Sequence, residues 1–243
     1  MTPLDRFRLE KAAADCGFEM TAIQHPGGLE IRSARFPETV LVQLAGEERF
    51  EVSASDPAIL DLETGGQPIK AAGYGELYAV LRTAAAHART KPNRVADEFK
   101  KKTAAMPRST EAERLVIQRV GQGLFRGALL DYWQGKCCVT GLDVPELLRA
   151  SHIRPWAECE TDEQRLDVFN GLLLAPHVDA LFDGGWISFE DSGEMVMSPE
   201  LPRNASVQIG LSLTWRAVGL TERHRAYLVY HRTYVLPRHK RQT

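Results

Sequence analysis

The sequence has few of the features that mark a secreted, membrane or zinc-binding protein. Its only cysteines are Cys16, Cys137, Cys138 and Cys159, and their spacing lacks the paired CxxC pattern of a zinc site. We therefore expect reduced, partly buried thiols and no structural zinc. The chain contains no run of about 18 apolar residues, and its start lacks the charged-then-apolar pattern of a signal peptide. The expected location is the cytoplasm, with no membrane as a partner.

The length and composition predict a globular protein with two cores. Hydrophobic residues make up 44% of the chain and charged residues make up 26%, which is typical of globular domains. Since 243 residues exceed the usual size of one domain, we expect two compact units.

The net charge of −2 conceals an uneven distribution along the chain. Residues 1–88 hold 8 Lys and Arg against 13 Asp and Glu, whereas residues 89–133 hold 10 against 5. Residues 134–200 hold 4 against 13, and residues 201–243 hold 8 against 1. This order is typical of carboxylates that bind a cation between basic segments that bind a polyanion. Solvated faces on an average surface are the alternative interpretation.

Residues 1–90 are predicted to form an α+β domain. Apolar periodicity indicates a helix, a four-stranded meander and a closing helix, with a looser stretch around Gly65, Gly66 and Pro68. The predicted elements are a helix at 4–16, strands at 18–24, 29–34, 39–44 and 49–53, and a helix at 75–89. No residue of this domain is a candidate for catalysis.

A basic segment, residues 91–108, follows and has few large apolar residues. It is predicted to be a linker or an exposed basic helix. A new helix is predicted from about residue 109, where Thr110 and Glu113 have the spacing of a capping box. It is expected to bend near Gly121 and Gly123 and to continue to Trp133.

The stretch from residue 136 to residue 185 carries the chemistry. A short strand and turn at 137–141 precede an apolar strand at 147–153 that contains His152, and a polar loop at 158–168 follows. Asn170 heads a second strand, 172–174, and residues 177–183 fit a short helix. The order is strand, strand, helix. Residues 186–198 are predicted to form a hairpin with its turn at 191–193.

These motifs resemble the HNH endonuclease family, specifically its restriction-type branch. The matching stretches are RVGQGLFRGALLDYW at 119–133, CCVTG at 137–141, LLRASHIRPWAE at 147–158 and RLDVFNGLLLAPHVDALFDGGWISF at 165–189. Together they cover roughly residues 109–200. The resemblance implies a ββα-metal nuclease domain at residues 109–243, with flanking helices and a C-terminal basic segment. It also implies a role for the N-terminal domain in DNA recognition.

The resemblance assigns roles to the site residues by position. His152 is the general base, and Asn170 orients it, with a simple turn residue as the alternative for Asn170. Asp179 stands at the third motif position as a metal ligand, with a helix-start carboxylate as the alternative. Asp183, one helical turn on, is a second ligand or a structural acceptor, and His177 is a ligand or a phosphate contact.

One position departs from the pattern of many family members. Ser151 stands where they place a carboxylate or histidine ligand, just before the base. A neutral hydroxyl is a weak ligand for a hard cation, so a backbone carbonyl or water is expected to complete the shell.

The predicted function is metal-dependent hydrolysis of double-stranded DNA in restriction or phage defence. One divalent cation is expected at the site, Mg²⁺ or alternatively Mn²⁺. The expected DNA contacts are Arg119, Arg126, Arg149 and Arg154. A homodimer would allow both strands to be cut. The alternatives are an inactive or weakly active nucleic-acid-binding protein on the same scaffold and a nuclease for RNA or single strands.

Overall fold

The computed structural model describes residues 1–60, 67–91 and 93–236. The chain divides into two compact units, Met1–Lys91 and Pro92–Thr243, and each has its own hydrophobic core. Helices and sheets occur together, so the predicted α+β class is confirmed. The basic residues of the C-terminal segment, Arg238, His239, Lys240 and Arg241, lie outside the described residues.

The first unit contains an antiparallel sheet with the strand order β1-β2-β3-β4-β5. In chain order its elements are α1 Pro3–Asp15, β1 Met20–His25, β2 Gly28–Arg32, β3 Val40–Gly46, β4 Arg49–Ala54, β5 Ile69–Ala72 and α2 Gly73–Arg89. The predicted meander of four strands was therefore one strand short. The missed strand β5 has only four residues and follows Pro68 directly, so the sequence shows too little alternation to reveal it.

The last residue of the first unit is fixed by two carboxylates. The Lys91 ammonium group donates to Glu38 Oε1 at 2.9 Å and also binds Asp56. Glu38 is only 7% exposed, so the paired cation compensates a nearly buried charge. The position of Lys91, the last residue of the first unit, is therefore fixed by these two ion pairs.

The second unit contains helices around two short hairpin-like pairs of strands. Its elements are α3 Arg94–Thr103, α4 Glu111–Tyr132, β6 Arg149–His152, α5 Asp162–Arg165, β7 Gly171–Leu174, α6 Pro176–Asp183, β8 Ile187–Phe189, β9 Met195–Met197, α7 Arg203–Gln208 and α8 Glu222–Tyr230. Strands β8 and β9 pair antiparallel, as predicted for the hairpin at 186–198. A single turn of π-helix, His231–Val235, follows α8.

The predicted linker at 91–108 is in part a packed helix. One face of α3 is basic, but Val95, Ala96, Phe99 and Thr103 on its other face are buried in the core of the second unit. The small number of large apolar residues hid this face, because one Phe and one Val are enough for a helix of ten residues.

Helix α4 runs without interruption through the two glycines at which a bend was expected. The predicted capping box is present, since the Thr110 hydroxyl accepts from the Glu113 amide at 3.2 Å and the Glu113 carboxylate accepts from the Thr110 amide at 2.9 Å. Gly121 provides space for a neighbour, because a Cβ there would lie 2.8 Å from the Trp156 ring. Its role is close packing on the helix face.

The ββα order predicted from the sequence is present in the second unit. Strands β6 and β7 pair antiparallel, with His152 opposite Gly171, and α6 follows β7 directly. The segment at 137–141 is a turn and not the predicted strand. Its geometry is held by Cys137 Sγ, which accepts from three backbone amides, those of Val139, Thr140 and Ala175. All four cysteines of the chain are buried free thiols.

Candidate active site

His152 lies at the end of β6 with its ring held on three sides. The ring stacks on Phe125 of α4, with 3.9 Å between the centroids, and meets Trp156 edge-on at 5.5 Å. Its Nε2 lies 2.8 Å from the backbone oxygen of Arg165. Because a carbonyl oxygen only accepts, Nε2 carries the proton and Nδ1 is left as the basic nitrogen.

The surroundings of His152 favour the neutral ring. Burial lowers the pKa of His152 below its usual value of 6.5, whereas the hydrogen bond to Arg165 and the charge of Asp183 raise the pKa and offset part of this effect. A neutral imidazole with a fixed tautomer and a free Nδ1 can accept a proton from water. This arrangement is compatible with the predicted role of His152 as a general base.

Asn170 fixes the loop that follows His152. It is fully buried, and its Oδ1 accepts from the Arg154 amide at 2.7 Å. Its Nδ2 lies near the Arg154 oxygen, the Gln164 oxygen and the Cys159 sulfur, at 3.2, 3.0 and 3.3 Å. The side-chain amide of Asn170 therefore holds both ends of the 154–164 loop. The residue after this loop is Arg165, whose backbone oxygen binds His152.

Helix α6 carries two carboxylates, Asp179 and Asp183, and the charge of Asp183 influences pKa values at the candidate site. Burial raises the pKa of Asp179, and the Ser151 hydroxyl lowers it, while the charge of Asp183 raises it and that of Arg149 lowers it. Asp183 also acts on His152. Asp179 and Asp183 lie one helical turn apart on α6, and the charge of Asp183 raises the pKa of both Asp179 and His152, whereas the charge of Arg149 lowers that of Asp179.

The residues around Asp179 fit a cation that is held by few protein ligands. Ser151 is 4% exposed, and its Oγ lowers the pKa of the neighbouring Asp179 without forming a hydrogen bond of full geometry to any described residue. Two carboxylates and this hydroxyl are hard oxygen donors. Within the described ranges, no group of three or more His, Cys, Asp or Glu side chains is arranged to hold a metal ion. Mg²⁺ suits such a sparse set, because it commonly keeps several waters and binds one or two carboxylates.

His177 lies near the start of α6, two residues before Asp179. Its exposed ring is 5.4 Å from that of Trp215, with the two planes at 53°. Within the described part of the chain, His177, Asp179 and Asp183 do not form a three-residue group that could hold a metal ion.

The segment that holds these residues matches a family of known function. Residues 137–190 fit the family model described as HNH endonuclease. The second unit thus carries an HNH endonuclease segment, residues 137–190. HNH domains imply nuclease activity on a nucleic acid, generally with a divalent metal. No curated protein matches the chain.

Two of the four arginines predicted to bind DNA form contacts within the second unit. Arg126 donates to the backbone oxygens of Leu148 at 2.6 Å and Pro145 at 2.7 Å, which fixes the approach to β6. Arg154 donates to the Glu158 oxygen and to Glu160, and its guanidinium group lies over the ring of Tyr230. These contacts satisfy guanidinium groups that the sequence alone presents as free cations.

The other two arginines remain available at the surface. Arg119 on α4 and Arg149 at the start of β6 are exposed. Neither side chain forms a hydrogen bond or ion pair with another described residue. The charge of Arg149 also lowers the pKa of Asp179.

Sequence reasoning missed the residues that hold the base. Arg165 supplies the carbonyl for His152, and Phe125 supplies the stacking surface. The only sequence signal for these residues is their place in the matched stretches, because a backbone carbonyl has no residue preference. A contact across 13 positions requires the loop conformation to be known.

Proposed function

We propose that this protein is a divalent-metal-dependent endonuclease that hydrolyses phosphodiester bonds of double-stranded DNA. The observation that carries the proposal is the state of His152, whose Nε2 is bound to the Arg165 oxygen while Nδ1 is left to act as a base. The nearby carboxylates, Asp179 and Asp183, support the assignment because they can bind a hard cation.

The residues divide the reaction between them. His152 Nδ1 accepts the proton of the attacking water, and Asn170 holds the loop that keeps the ring in place. Asp179 and Asp183 would hold Mg²⁺, or Mn²⁺ in its place. The cation supplies charge stabilisation for the phosphorane and the leaving 3′ oxygen. Arg149 and Arg119 bind DNA phosphates.

The biological role follows from the resemblance to restriction-type HNH nucleases. A restriction or phage-defence enzyme of the cytoplasm needs a site that cuts and a part that recognises the target. In this proposal the second unit cuts, and the first unit contributes recognition of sequence or of modified bases. Two copies of the chain would cut both strands, since each chain provides one site.

Plasmid cleavage tests the proposed activity. We expect the protein to convert supercoiled DNA to nicked and linear forms with Mg²⁺ or Mn²⁺ and to lose this activity in EDTA. His152→Ala should lower the rate by about 100-fold or more, because a general base contributes at least that factor. The matched control is His25→Ala, which removes an imidazole with a 40% exposed side chain in the first unit and should leave cleavage unchanged.

Parallel substrates test the preference for double strands. Duplex DNA, single-stranded DNA and RNA of one sequence are incubated side by side, and the duplex should be cut fastest. Faster cleavage of RNA or single strands would contradict the assigned substrate while keeping the hydrolytic role of His152.

A second candidate, a binding protein without catalysis, is favoured by the sparse donor set around Ser151. Such a protein would retard DNA in a gel and show no metal-dependent cleavage with the wild-type sequence. That result would overturn the proposed enzyme.

A further inference from the structure

Arg165 occupies a special place in the loop that orients the base. Its backbone oxygen accepts the Nε2 proton of His152 at 2.8 Å. The carbonyl belongs to the last residue of α5, directly before the chain turns toward Asn170. Any movement of this one peptide group changes the hydrogen bond that selects the tautomer of His152.

The side chain of Arg165 ties the same loop together from within. Its Nε donates to the Trp156 oxygen at 3.3 Å, its Nη1 to Asp162 Oδ1 at 3.1 Å and its Nη2 to the Cys159 oxygen at 2.5 Å. All three guanidinium nitrogens are therefore engaged. The contacts span residues 156–162, so one planar group fixes the arc whose end carries the carbonyl.

The charge of Arg165 does not explain this arrangement. The charged group that acts on His152 is Asp183, and Arg165 acts on it through its backbone hydrogen bond. The Arg165 side chain is also only 24% exposed, and its nitrogens are occupied inside the loop. The shape of the guanidinium group, with donors in a rigid plane, is what the three acceptors require.

We propose that Arg165 is a positioning residue for His152: its guanidinium group, by holding the backbone of Trp156 and Cys159, places the Arg165 carbonyl that keeps the base in the Nε2-protonated tautomer. This inference rests on the proposed function of His152 as a base. It adds a role to a residue whose positive charge, in a nuclease, would otherwise be assigned to DNA binding.

Two substitutions separate shape from charge. Arg165→Lys keeps the positive charge but has a single donor atom that cannot span the three acceptors, and Arg165→Met removes the charge as well. If Arg165 acts by position, both variants behave alike. If it acts as a phosphate contact, the lysine variant retains most of the function.

The direct readout is the tautomer of His152, measured by ¹⁵N NMR of the imidazole in the full-length, metal-free protein at neutral pH. We expect only the Nε2-protonated form in the wild type and a mixture of both tautomers in Arg165→Lys and Arg165→Met. A His152→Gln spectrum assigns the signals.

The matched control is Arg232, a second arginine that binds a turn through three contacts. It donates to the Phe189 oxygen at 2.6 Å and to Asp191 at 2.7 Å, pairs with Glu190, and is 19% exposed. Arg232→Lys should therefore have a comparable effect on packing and leave the His152 tautomer unchanged. A milder variant, Asp162→Asn, weakens one of the three Arg165 contacts and should keep the Nε2-protonated form.

Cleavage kinetics give a second readout. We expect Arg165→Lys to lower kcat by up to about 100-fold with little change in KM, because misplacement of a reacting group by about 1 Å can cost that factor. A KM that is raised in Arg165→Met and returns to the wild-type value in Arg165→Lys would overturn the positioning role.

The results separate the two proposals. If Arg165→Lys retains the native amide spectrum and His152 stays in the Nε2-protonated form, the positioning role is wrong whatever the cleavage data show. If the tautomer changes as expected but the wild type cuts no nucleic acid, the proposed function fails and the positioning role remains. Should Arg165→Met unfold, the lysine variant decides.

Discussion

At the scale of single residues, burial controls the ionisation of two histidines in the second unit. In His152, Nε2 is bound to the Arg165 oxygen and Nδ1 is left free. His224 is fully buried in α8 among the rings of Tyr132, Trp133 and Phe169. Its Nδ1 accepts from the Thr221 amide at 3.0 Å, and its Nε2 has no hydrogen-bond partner within the described ranges. The neutral ring thus caps α8 from inside the core.

This environment makes the unit sensitive to acid. Burial lowers the pKa of His224 from 6.5 to about 4, so the folded state resists the proton that the unfolded state accepts. The stability that the neutral ring contributes is present above pH 6.5 and is lost as the pH falls toward 4. Protonation would also remove the Nδ1 lone pair that accepts from Thr221.

We predict that His224→Gln reduces the acid sensitivity of the second unit. Gln at this helix position can still accept the Thr221 amide but takes up no proton. Between about pH 7.5 and about pH 5 the wild type should lose about 2 kcal/mol more unfolding free energy than the variant. Urea unfolding at the two pH values measures the difference, and equal losses in both proteins would show that His224 is not the titrating group.

The sequence assigned the site residues by resemblance and could not show their contacts. His152 and Asn170 were given their roles by their positions in the HNH motif, and those roles stay predictions. Arg126 and Arg154 were predicted to contact DNA, but the sequence does not show which backbone oxygens their side chains also meet. The role of Arg165 depends on a peptide oxygen, which any residue could supply.

At the scale of elements, strand β7 and helix α4 approach each other at a glycine. A Cβ on Gly171 would lie 2.6 Å from the Phe125 ring and 2.8 Å from Leu129. Both contacts are shorter than packed carbon atoms allow. The glycine lets the strand that faces His152 lie against the helix that stacks on His152.

We predict that Gly171→Ala destabilises the second unit and lowers cleavage. Overpacking of this kind costs about 1–3 kcal/mol, and relief of the clash would move the Phe125 ring on which His152 stacks. The control is Gly127→Ala on α4, where a Cβ meets no atom within 4 Å and helix propensity favours alanine by about 1 kcal/mol. Thermal unfolding should rank Gly127→Ala at or above the wild type and Gly171→Ala below it. The reverse order would contradict the packing argument.

Elements with strong periodicity were predictable, and short or polar ones were not. The ββα order, the hairpin of β8 and β9, and the capping box of α4 follow from local signals. Strand β5 and the buried face of α3 were missed because few apolar residues carry them. Helix α8, whose buried residues are His224 and Leu228, also lacks a continuous apolar face that would reveal it.

At the scale of the whole molecule, the HNH segment depends on helices outside the family match. The Asp167 carboxylate accepts from Tyr227 of α8 at 3.0 Å, and Tyr230 of α8 binds Glu158. Lys100 of α3 pairs with Glu163 and lowers the pKa of that carboxyl to about 2. Elements before and after residues 137–190 therefore hold the loop that orients the base.

Across the described residues, no helix is long and apolar enough to cross a membrane.

We predict that residues 92–243 fold and cut DNA alone, whereas residues 137–190 do not fold. The larger piece keeps the whole core of the second unit, and the smaller one exposes the apolar surface that α4 and α8 cover. Urea unfolding should give one cooperative transition for the larger piece and none for the smaller. A cooperative transition in residues 137–190 would show that the flanking helices are dispensable. The resemblance already placed flanking helices in the nuclease domain, but the contacts of α3 and α8 with the loop before Asn170 could not be predicted from the sequence.

The approach of Phe125 to Gly171 also has an evolutionary consequence. One aromatic ring fills the space that a side chain at 171 would need and also stacks on the base. A larger residue at 171 would be tolerated only with a smaller one at 125, and that exchange would remove the stacking surface from His152. Selection for cleavage would then keep both positions unchanged together.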